Sequence, residues 1–418
     1  MSEAANTSQE IPLLRGRRIV LGVTGSIAVY KAAALASRLT QAGAQVDTVL
    51  SGAARRFISP LTFQSLTGRQ AYTDEDLWGA QSHILHVGLA HEAEVVLVAP
   101  ATANTLAKMA HGIADSLLMV TLLATSCPLL VAPAMDVGMF ADAATQENLR
   151  ILQERGVTVI GPARGRMASG LVGPGRMVEP EELLGQVRLA LAREGHLAGR
   201  TVVVTAGGTR EPLDPVRVLT NRSSGKQGYA IAQAALDRGA QVVLITAPTA
   251  LPTPVGAQRV DVETAEQMQA AVLEHAPHAD VLFMAAAVAD FRPRKMEKDK
   301  IKREHGALTL ELEPTEDILA AVAAGREGWG RPAVVVGFAA ESGDLVENAR
   351  AKLAAKGLDL IVANDISAAD AGFDVDTNRV AIVDANGVVQ ELPLMPKVQV
   401  AEILVERAIQ LLEEYERP

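Results

Sequence analysis

A single cysteine, Cys127, is all that 418 residues contain, so no internal disulfide can form and a reducing compartment suits the chain. Aromatic side chains are almost as scarce, at 3% of residues, while hydrophobic residues reach 49%, so the cores must be packed from Ala, Val and Leu. No apolar run attains the roughly 20 residues that a membrane helix needs. Positive charge is in deficit: 39 Lys and Arg face 49 Asp and Glu, a net charge of −10. That balance argues against nucleic acid or an anionic membrane as the main partner. Residues 1–10 lack the basic start and apolar stretch of a signal peptide. The expectation is a cytoplasmic protein with a disordered tail at residues 1–15.

Two common phosphate-binding fingerprints are also missing. Gly225-Lys226 is followed by Gln227 where a P-loop needs Ser or Thr, and Thr220 stands where its first Gly belongs. Gly207-Gly208 does not continue into the dinucleotide fingerprint. What is present is a long glycine-rich connection, from Thr205-Ala-Gly-Gly-Thr-Arg to Asn221-Arg-Ser-Ser-Gly-Lys-Gln-Gly228. It lies between an apolar strand, Thr201–Val204, and an alanine-rich helical pattern, Tyr229–Arg238. Strand, loop and helix in that order bring backbone N–H groups and a helix N-terminus toward an anion. A plain polar loop is the alternative account.

Around this stretch, short apolar runs alternate with helical patterns. Strands are expected at Arg17–Thr24, Gln45–Leu50, Val95–Ala99 and Leu129–Ala132. A second set is expected near Thr201–Ala206, Gln241–Thr246, Asp280–Ala285, Ala333–Phe338 and Asp359–Ala363. Helices are expected from Gly25–Ala28 to about Ala42, from Ser51-Gly52, and over Pro180–Leu191. The fold class is therefore α/β: two doubly wound, Rossmann-like domains with mainly parallel sheets, at residues 16–194 and 195–418, with ligands beyond the carboxyl ends of the strands. Gly25, Ser26, Ser51, Thr102 and Asn104 fall at such ends in the first half. Each alone reads as a helix cap, but together they suit a phosphorylated cofactor. In the second half, Arg294-Lys-Met-Glu-Lys-Asp-Lys-Ile-Lys-Arg303 is either a solvated charge run or an arm that folds cations over a phosphate.

Gly25-Ser-Ile-Ala-Val-Tyr-Lys31, Ala99-Pro-Ala-Thr-Ala-Asn104, Pro133-Ala-Met-Asp-Val-Gly-Met-Phe140 and Gly173-Pro-Gly-Arg-Met-Val-Glu-Pro180 resemble the flavin-containing cysteine decarboxylases. That resemblance implies FMN at a subunit interface of trimers, which can assemble into dodecamers, and gives His86 the place of the active-site histidine. Gly207–Arg217, Asn221–Lys226, Ala285–Asp290, Lys300-Ile-Lys302, Gly337-Phe-Ala-Ala-Glu341 and Ala363-Asn-Asp365 are similar to phosphopantothenate–cysteine ligase, whose domain forms dimers. From about residue 15 to 410 the chain resembles the bifunctional enzymes that join these two activities in coenzyme A biosynthesis.

The resemblance implies that CTP activates 4′-phosphopantothenate as an acyl-cytidylate, with Mg²⁺ on the phosphates, and that cysteine displaces CMP. Ala285, Ala286, Asp290, Lys300, Asp317, Ile318, Phe338, Lys352 and Lys356 then form the CTP site, and Asn221 acts on the intermediate. FMN-dependent decarboxylation of 4′-phosphopantothenoylcysteine follows, with His86, Asp136 and Ser169 near the substrate. At two of these positions the chain departs from the family pattern: Asp136 stands for Asn, and Ser169 stands for Cys. The first half is thus either degenerate beside a working ligase, or a variant that uses Asp and Ser together. The intact flavin rim, His86 and Gly173-Pro-Gly-Arg-Met177 favour the variant. A flavin-binding regulatory protein and an NAD(P) reductase are the readings from other classes, and the full set of ligase motifs disfavours both.

Overall fold

The computed structural model describes residues 10–78, 82–302, 308–341, 345–365 and 375–417. The chain divides into two compact units, Met1–Leu191 and Ala192–Pro418.

In the first unit six strands form one sheet: β1 (Arg18–Val23), β2 (Gln45–Leu50), β3 (Ala71–Tyr72), β4 (Val95–Ala101), β5 (Leu129–Pro133) and β6 (Thr158–Val159). Their order is β3-β2-β1-β4-β5-β6, and every pairing is parallel. Helices cover both faces: α1 (Val29–Gln41), α2 (Pro60–Thr67), α3 (Ser82–Glu92), α4 (Ala103–His111), α5 (Leu117–Ala124), α6 (Val137–Ala141), α7 (Ala143–Glu154) and α8 (Pro180–Ala192). An all-parallel sheet is buried on both sides, which is why β1 and β4 read as unbroken apolar runs. Two separate cores result, one under α1 and α8 and one under α4, α5 and α7. A hairpin of β7 (Ala163–Arg166) and β8 (Val172–Arg176) stands apart from the sheet.

Two expectations need correction here. The tail expected through residue 15 ends earlier, because Leu14 is fully buried and Ile11 N–H bonds Ala42 O at 3.1 Å. The helix expected from Ser51-Gly52 is a single turn at Ala54–Arg56, and α2 begins only at Pro60, capped by Ser59.

The second unit repeats the plan. Its sheet contains β9 (Thr201–Ala206), β12 (Gln241–Thr246), β13 (Gln258–Asp261), β14 (Val281–Met284), β17 (Val334–Glu341), β18 (Leu360–Asp365), β19 (Thr377–Asp384) and β20 (Val389–Pro396). The order is β13-β12-β9-β14-β17-β18-β19-β20; the first six run parallel, while β18–β19 and β19–β20 pair antiparallel. Two small hairpins, β10 (Arg210–Pro212) with β11 (Val218–Thr220) and β15 (Phe291–Pro293) with β16 (Leu312–Pro314), project from the loops. The helices are α9 (Lys226–Leu236), α10 (Ala265–His275), α11 (Ile318–Trp329), α12 (Leu345–Ala355) and α13 (Lys397–Tyr415). The first six strands of each sheet share one order, that of the doubly wound dinucleotide-binding folds. In both, the order of strand addition reverses between the first and fourth strands, which run parallel, and a crevice opens there.

Candidate active sites

In the first unit the crevice between β1 and β4 is tied by one hydroxyl. Thr24 Oγ1 donates to Pro100 O at 2.6 Å and accepts Thr102 N–H at 3.2 Å, so the two loops leave the sheet at a fixed separation. Gly25 lets the first loop pass close to its neighbour, since a Cβ there would stand 2.5 Å from Ala53 Cβ. Beyond lies a cavity of about 500 Å³ lined by Gly25, Ser26, Ser51, Thr102 and Asn104. All five predicted cofactor residues therefore share one space. Leu118, Met119, Met135 and Met139 line the same cavity. Hydroxyl and amide donors beside methionine and leucine fit a group with a phosphate and a flat apolar ring, so the residues present fit FMN. Asp74 belongs to this lining too and escaped the sequence reading; its Oδ1 accepts Leu117 N–H at 3.0 Å, at the start of α5.

The three residues proposed for decarboxylation lie outside that lining. Asp136 and Ser169 are brought together: Ser169 Oγ donates to Asp136 Oδ2 at 2.6 Å. Asp136 also caps α6, accepting Gly138 N–H at 3.1 Å. The Ser169 hydroxyl first, and the Gly138 N–H second, hold the Asp136 carboxyl below its ordinary range, so it is ionised at neutral pH. His86 lies on α3, and its Nδ1 is buried with no hydrogen-bond partner among the described residues. A sequence motif not credited with a role, Lys31, is buried and reaches Met177 O at 2.7 Å and Glu179 at 2.8 Å. It thereby fixes the chain just after β8.

The second crevice is built alike. Thr205 Oγ1 accepts Ala286 N–H at 3.0 Å, Thr209 Oγ1 accepts Ala289 N–H at 2.9 Å, and Ala287 N–H bonds Gly207 O at 2.8 Å. A cavity of about 520 Å³ opens there, and Asn221, Ala285, Ala286, Asp290, Asp317, Ile318, Phe338, Lys352 and Lys356 all line it. Asn221 is oriented by donating from Nδ2 to Val288 O at 3.0 Å, which leaves its second amide hydrogen. Asp317 caps α11 through Ala320 N–H and pairs with Lys356 at 3.4 Å.

Lys300 is not among the lining residues. Its segment is nonetheless no free charge run, because Ile301 N–H bonds Asp214 at 3.2 Å and Arg217 donates to Ile301 O at 2.9 Å. Residues 303–307 of the expected arm lie outside the described set. Lysines that sequence reasoning missed do reach the cavity. Lys226 bonds Asp376 at 2.6 Å, and Lys397, at the start of α13, is buried in the lining with Asn378. Lys226 stood in a quoted motif, but Lys397 and Asn378 follow no periodicity that would flag them. Among the described residues no group of three or more His, Cys, Asp or Glu is placed to hold a metal ion, and no helix is long and apolar enough to cross a membrane.

Two family descriptions match the chain: "DNA/pantothenate metabolism flavoprotein C-terminal domain" over residues 197–412, and "Flavoprotein" over residues 7–191. Three relatives carry the name coenzyme A biosynthesis bifunctional protein CoaBC. That of Bacillus subtilis (strain 168) is 46% identical over 400 residues, covering 95% of this chain and 98% of its own. That of Vibrio cholerae is 46% identical over 386 residues, covering 92% and 96%. That of Mycobacterium tuberculosis (strain H37Rv) is 43% identical over 408 residues, covering 95% and 97%.

Proposed function

Since this chain belongs to the family of bifunctional coenzyme A biosynthesis proteins, we propose that its two crevices divide the work, ligation in the second unit and decarboxylation in the first. The chain is a bifunctional enzyme, a phosphopantothenate–cysteine ligase and a phosphopantothenoylcysteine decarboxylase of the flavoprotein type. The observation that supports the division is the gathering of eight expected nucleotide residues, with Asn221, in one cavity and of five expected flavin residues in another.

In the ligase cavity the co-substrate is CTP. Lys226, Lys352, Lys356 and Lys397 offset the triphosphate charge, Phe338 with Ala285 and Ala286 flanks the base, and Asp290 reads the sugar. Mg²⁺ rides on the phosphates. The carboxylate of 4′-phosphopantothenate attacks the α-phosphate, pyrophosphate leaves, and the cysteine amine then displaces CMP. Asn221 donates to the oxygen that gains charge as the amine attacks, a role an amide fills without a shifted pKa.

In the first cavity the flavin supplies reversible oxidation of the substrate thiol, which makes the bond to the carboxylate labile. Gly25, Ser26, Ser51, Thr102 and Asn104 hold the cofactor, and Asp136 with Ser169 flanks the reacting carbon. Ile27, Tyr30, Leu61 and Trp78 (85% exposed) are large apolar side chains left open on this unit, and we read them as contacts for a second copy. We read His86 as completing the site across that contact, within a homo-oligomer. The compartment is the cytoplasm.

The test is product analysis with purified protein. CMP release that requires both 4′-phosphopantothenate and cysteine, and CO₂ release from 4′-phosphopantothenoylcysteine, are expected. CMP without CO₂, from protein with full FMN, would leave a ligase alone.

A further inference from the structure

The cavity of the second unit straddles the carboxyl edge of its sheet, and its two sides differ in chemistry. On one side lies α12, which carries Lys352 and Lys356 and packs through Ala349 and Leu353 on a core with Val203, Ile361 and Ala363. Asn364, the next residue of β18, turns to the opposite face. That face is covered by α9. A Cβ on its Gly228 would stand 2.7 Å from the Cβ of Ala206, which lies three residues on from Val203 and so faces the other way. The start of α13 joins it, Gln227 of α9 donating from Nε2 to Lys397 O at 3.2 Å. Gln227, Asn364, Asn378 and Lys397 line the cavity on this second side.

Two oxygens on the second side lack a donor. Gln227 Oε1 and Asn364 Oδ1 are buried and have no hydrogen-bond partner among the described residues. Asn378, by contrast, accepts Arg379 N–H at 3.1 Å. The orientation of the Gln227 amide is fixed, because only its NH₂ end can face the Lys397 carbonyl. Buried acceptors without donors are rare in folded proteins, and both of these residues line a cavity that a ligand fills. The missing donors therefore belong to the ligand. Ionised phosphates and carboxylates have no hydrogen to give. Of the three ligase substrates, cysteine alone brings a nitrogen with two hydrogens to the reacting carbon.

We propose that Gln227 and Asn364 form the seat for the amine of cysteine: each amide oxygen takes one N–H, and the nitrogen lone pair is left for the acyl carbon. This rests on the reading of the second cavity as the ligase site. Neutral acceptors suit the task, since a carboxylate in their place would hold the amine as ammonium, which has no lone pair. Cysteine gives its ammonium proton to solvent on entering. The lone pair then forms the carbon–nitrogen bond, and the carbonyl oxygen gains its charge beside Asn221. The carbon–oxygen bond to the cytidylate breaks with its electron pair, and CMP departs as a phosphate dianion. The second proton shed by nitrogen passes to solvent. Nothing is oxidised or reduced.

The experiment separates the two half-reactions in the full-length, FMN-loaded protein. Rapid mixing with CTP and 4′-phosphopantothenate alone reports pyrophosphate release, and addition of cysteine reports CMP. Gln227→Met and Asn364→Leu remove the two acceptors at nearly constant size. Both variants are expected to release pyrophosphate at the wild-type rate with an unchanged KM for CTP. The KM for cysteine should rise on the order of tenfold in each, the scale of one lost hydrogen bond. Hydroxylamine, an amine with neither carboxylate nor thiol, intercepts the same acyl-cytidylate and should lose efficiency by the same factor. A loss seen with cysteine but not with hydroxylamine would take the acceptors away from the amine. Slower pyrophosphate release, or a raised KM for CTP, in a variant with the wild-type Tm would give them to the nucleotide. An unchanged KM for cysteine in both variants would overturn the seat outright. The two positions lie on different elements, so if one variant misfolds the other decides. Absence of pyrophosphate from wild type would overturn the ligase reading instead.

Discussion

Replacing Asn221 by Asp keeps the size of the side chain but removes both amide hydrogens. The bond to Val288 O goes, and a charge appears where the intermediate develops its own. Asn221→Asp is expected to release pyrophosphate from CTP and 4′-phosphopantothenate while amide formation falls on the order of 10²–10³-fold, the scale of one oxyanion donor. Pyrophosphate and product counted in the same reaction check this; normal amide formation would assign the donor elsewhere. Two lysines make a second comparison. Lys356 lines the nucleotide cavity and pairs with Asp317, whereas Lys300 is exposed and outside it. Lys356→Gln should lower efficiency with CTP by on the order of 10²-fold. Lys300→Gln should stay within about twofold, as for an exposed charge. Equal losses would restore Lys300 to the site. Residues of this kind were legible only where a motif carried them. Asn221 and Phe338 stood in quoted motifs and Lys356 came with the family resemblance, but Asp74, Asn378 and Lys397 reach their cavities through packing that no local pattern announces.

At the scale of elements, one device recurs at the amino ends of the strands. Glu94 precedes β4 and accepts the Arg18 N–H of β1 at 2.9 Å. Asp280 precedes β14 and accepts the Thr201 N–H of β9 at 2.8 Å. Asp359 precedes β18 and accepts the Val335 N–H of β17 at 2.7 Å. Each also meets arginine: Arg17, then Arg200 with Arg331, then Arg326. The two aspartates differ in sign. Burial pushes Asp280 upward, but Thr201 N–H, Arg331 and Arg200 outweigh it, and its pKa falls below 3.8. For Asp359 burial prevails over Val335 N–H and Arg326, and its pKa rises. A lowered folded pKa means that the Asp280 contribution is present above about 3.8 and lost as pH falls through the folded value. Asp359 works the other way, costing stability above its folded pKa and relieving that cost as pH falls. Asp280→Asn should therefore destabilise the second unit by about 2 kcal/mol at neutral pH, lowering its Tm by roughly 4–8 °C, and Asp359→Asn should lower it less. Calorimetric scans of both variants, at neutral and acid pH, decide; an equal loss would deny the difference in sign.

The central parallel strands were legible because burial on both faces makes them continuous apolar runs. The two-residue strands β3 and β6, the hairpin carrying Ser169 and the antiparallel pair β19–β20 were not. They are short, glycine-rich or half exposed, and so lack the continuous apolar run that marks a strand buried on both faces.

At the scale of the whole molecule, the division at Leu191 and Ala192 separates two sheets with no strand in common. Expressed separately, residues 1–191 are expected to bind FMN and residues 192–418 to release CMP with 4′-phosphopantothenate and cysteine. Flavin absorbance and CMP assays on the two pieces check this, and a colourless first piece or an inactive second would show that each needs the other. The first sheet is also finished early in the chain, its last strand ending at Val159 and the unit closing within α8 at Leu191. That order sets a clock during synthesis. At about 5–20 residues per second, the 227 residues of the second unit (418 − 192 + 1) occupy the ribosome for roughly 11–45 s after the first unit is made. The first unit thus has time to fold and capture its flavin before the ligase exists, so a nascent chain stalled late in the second unit should already be yellow.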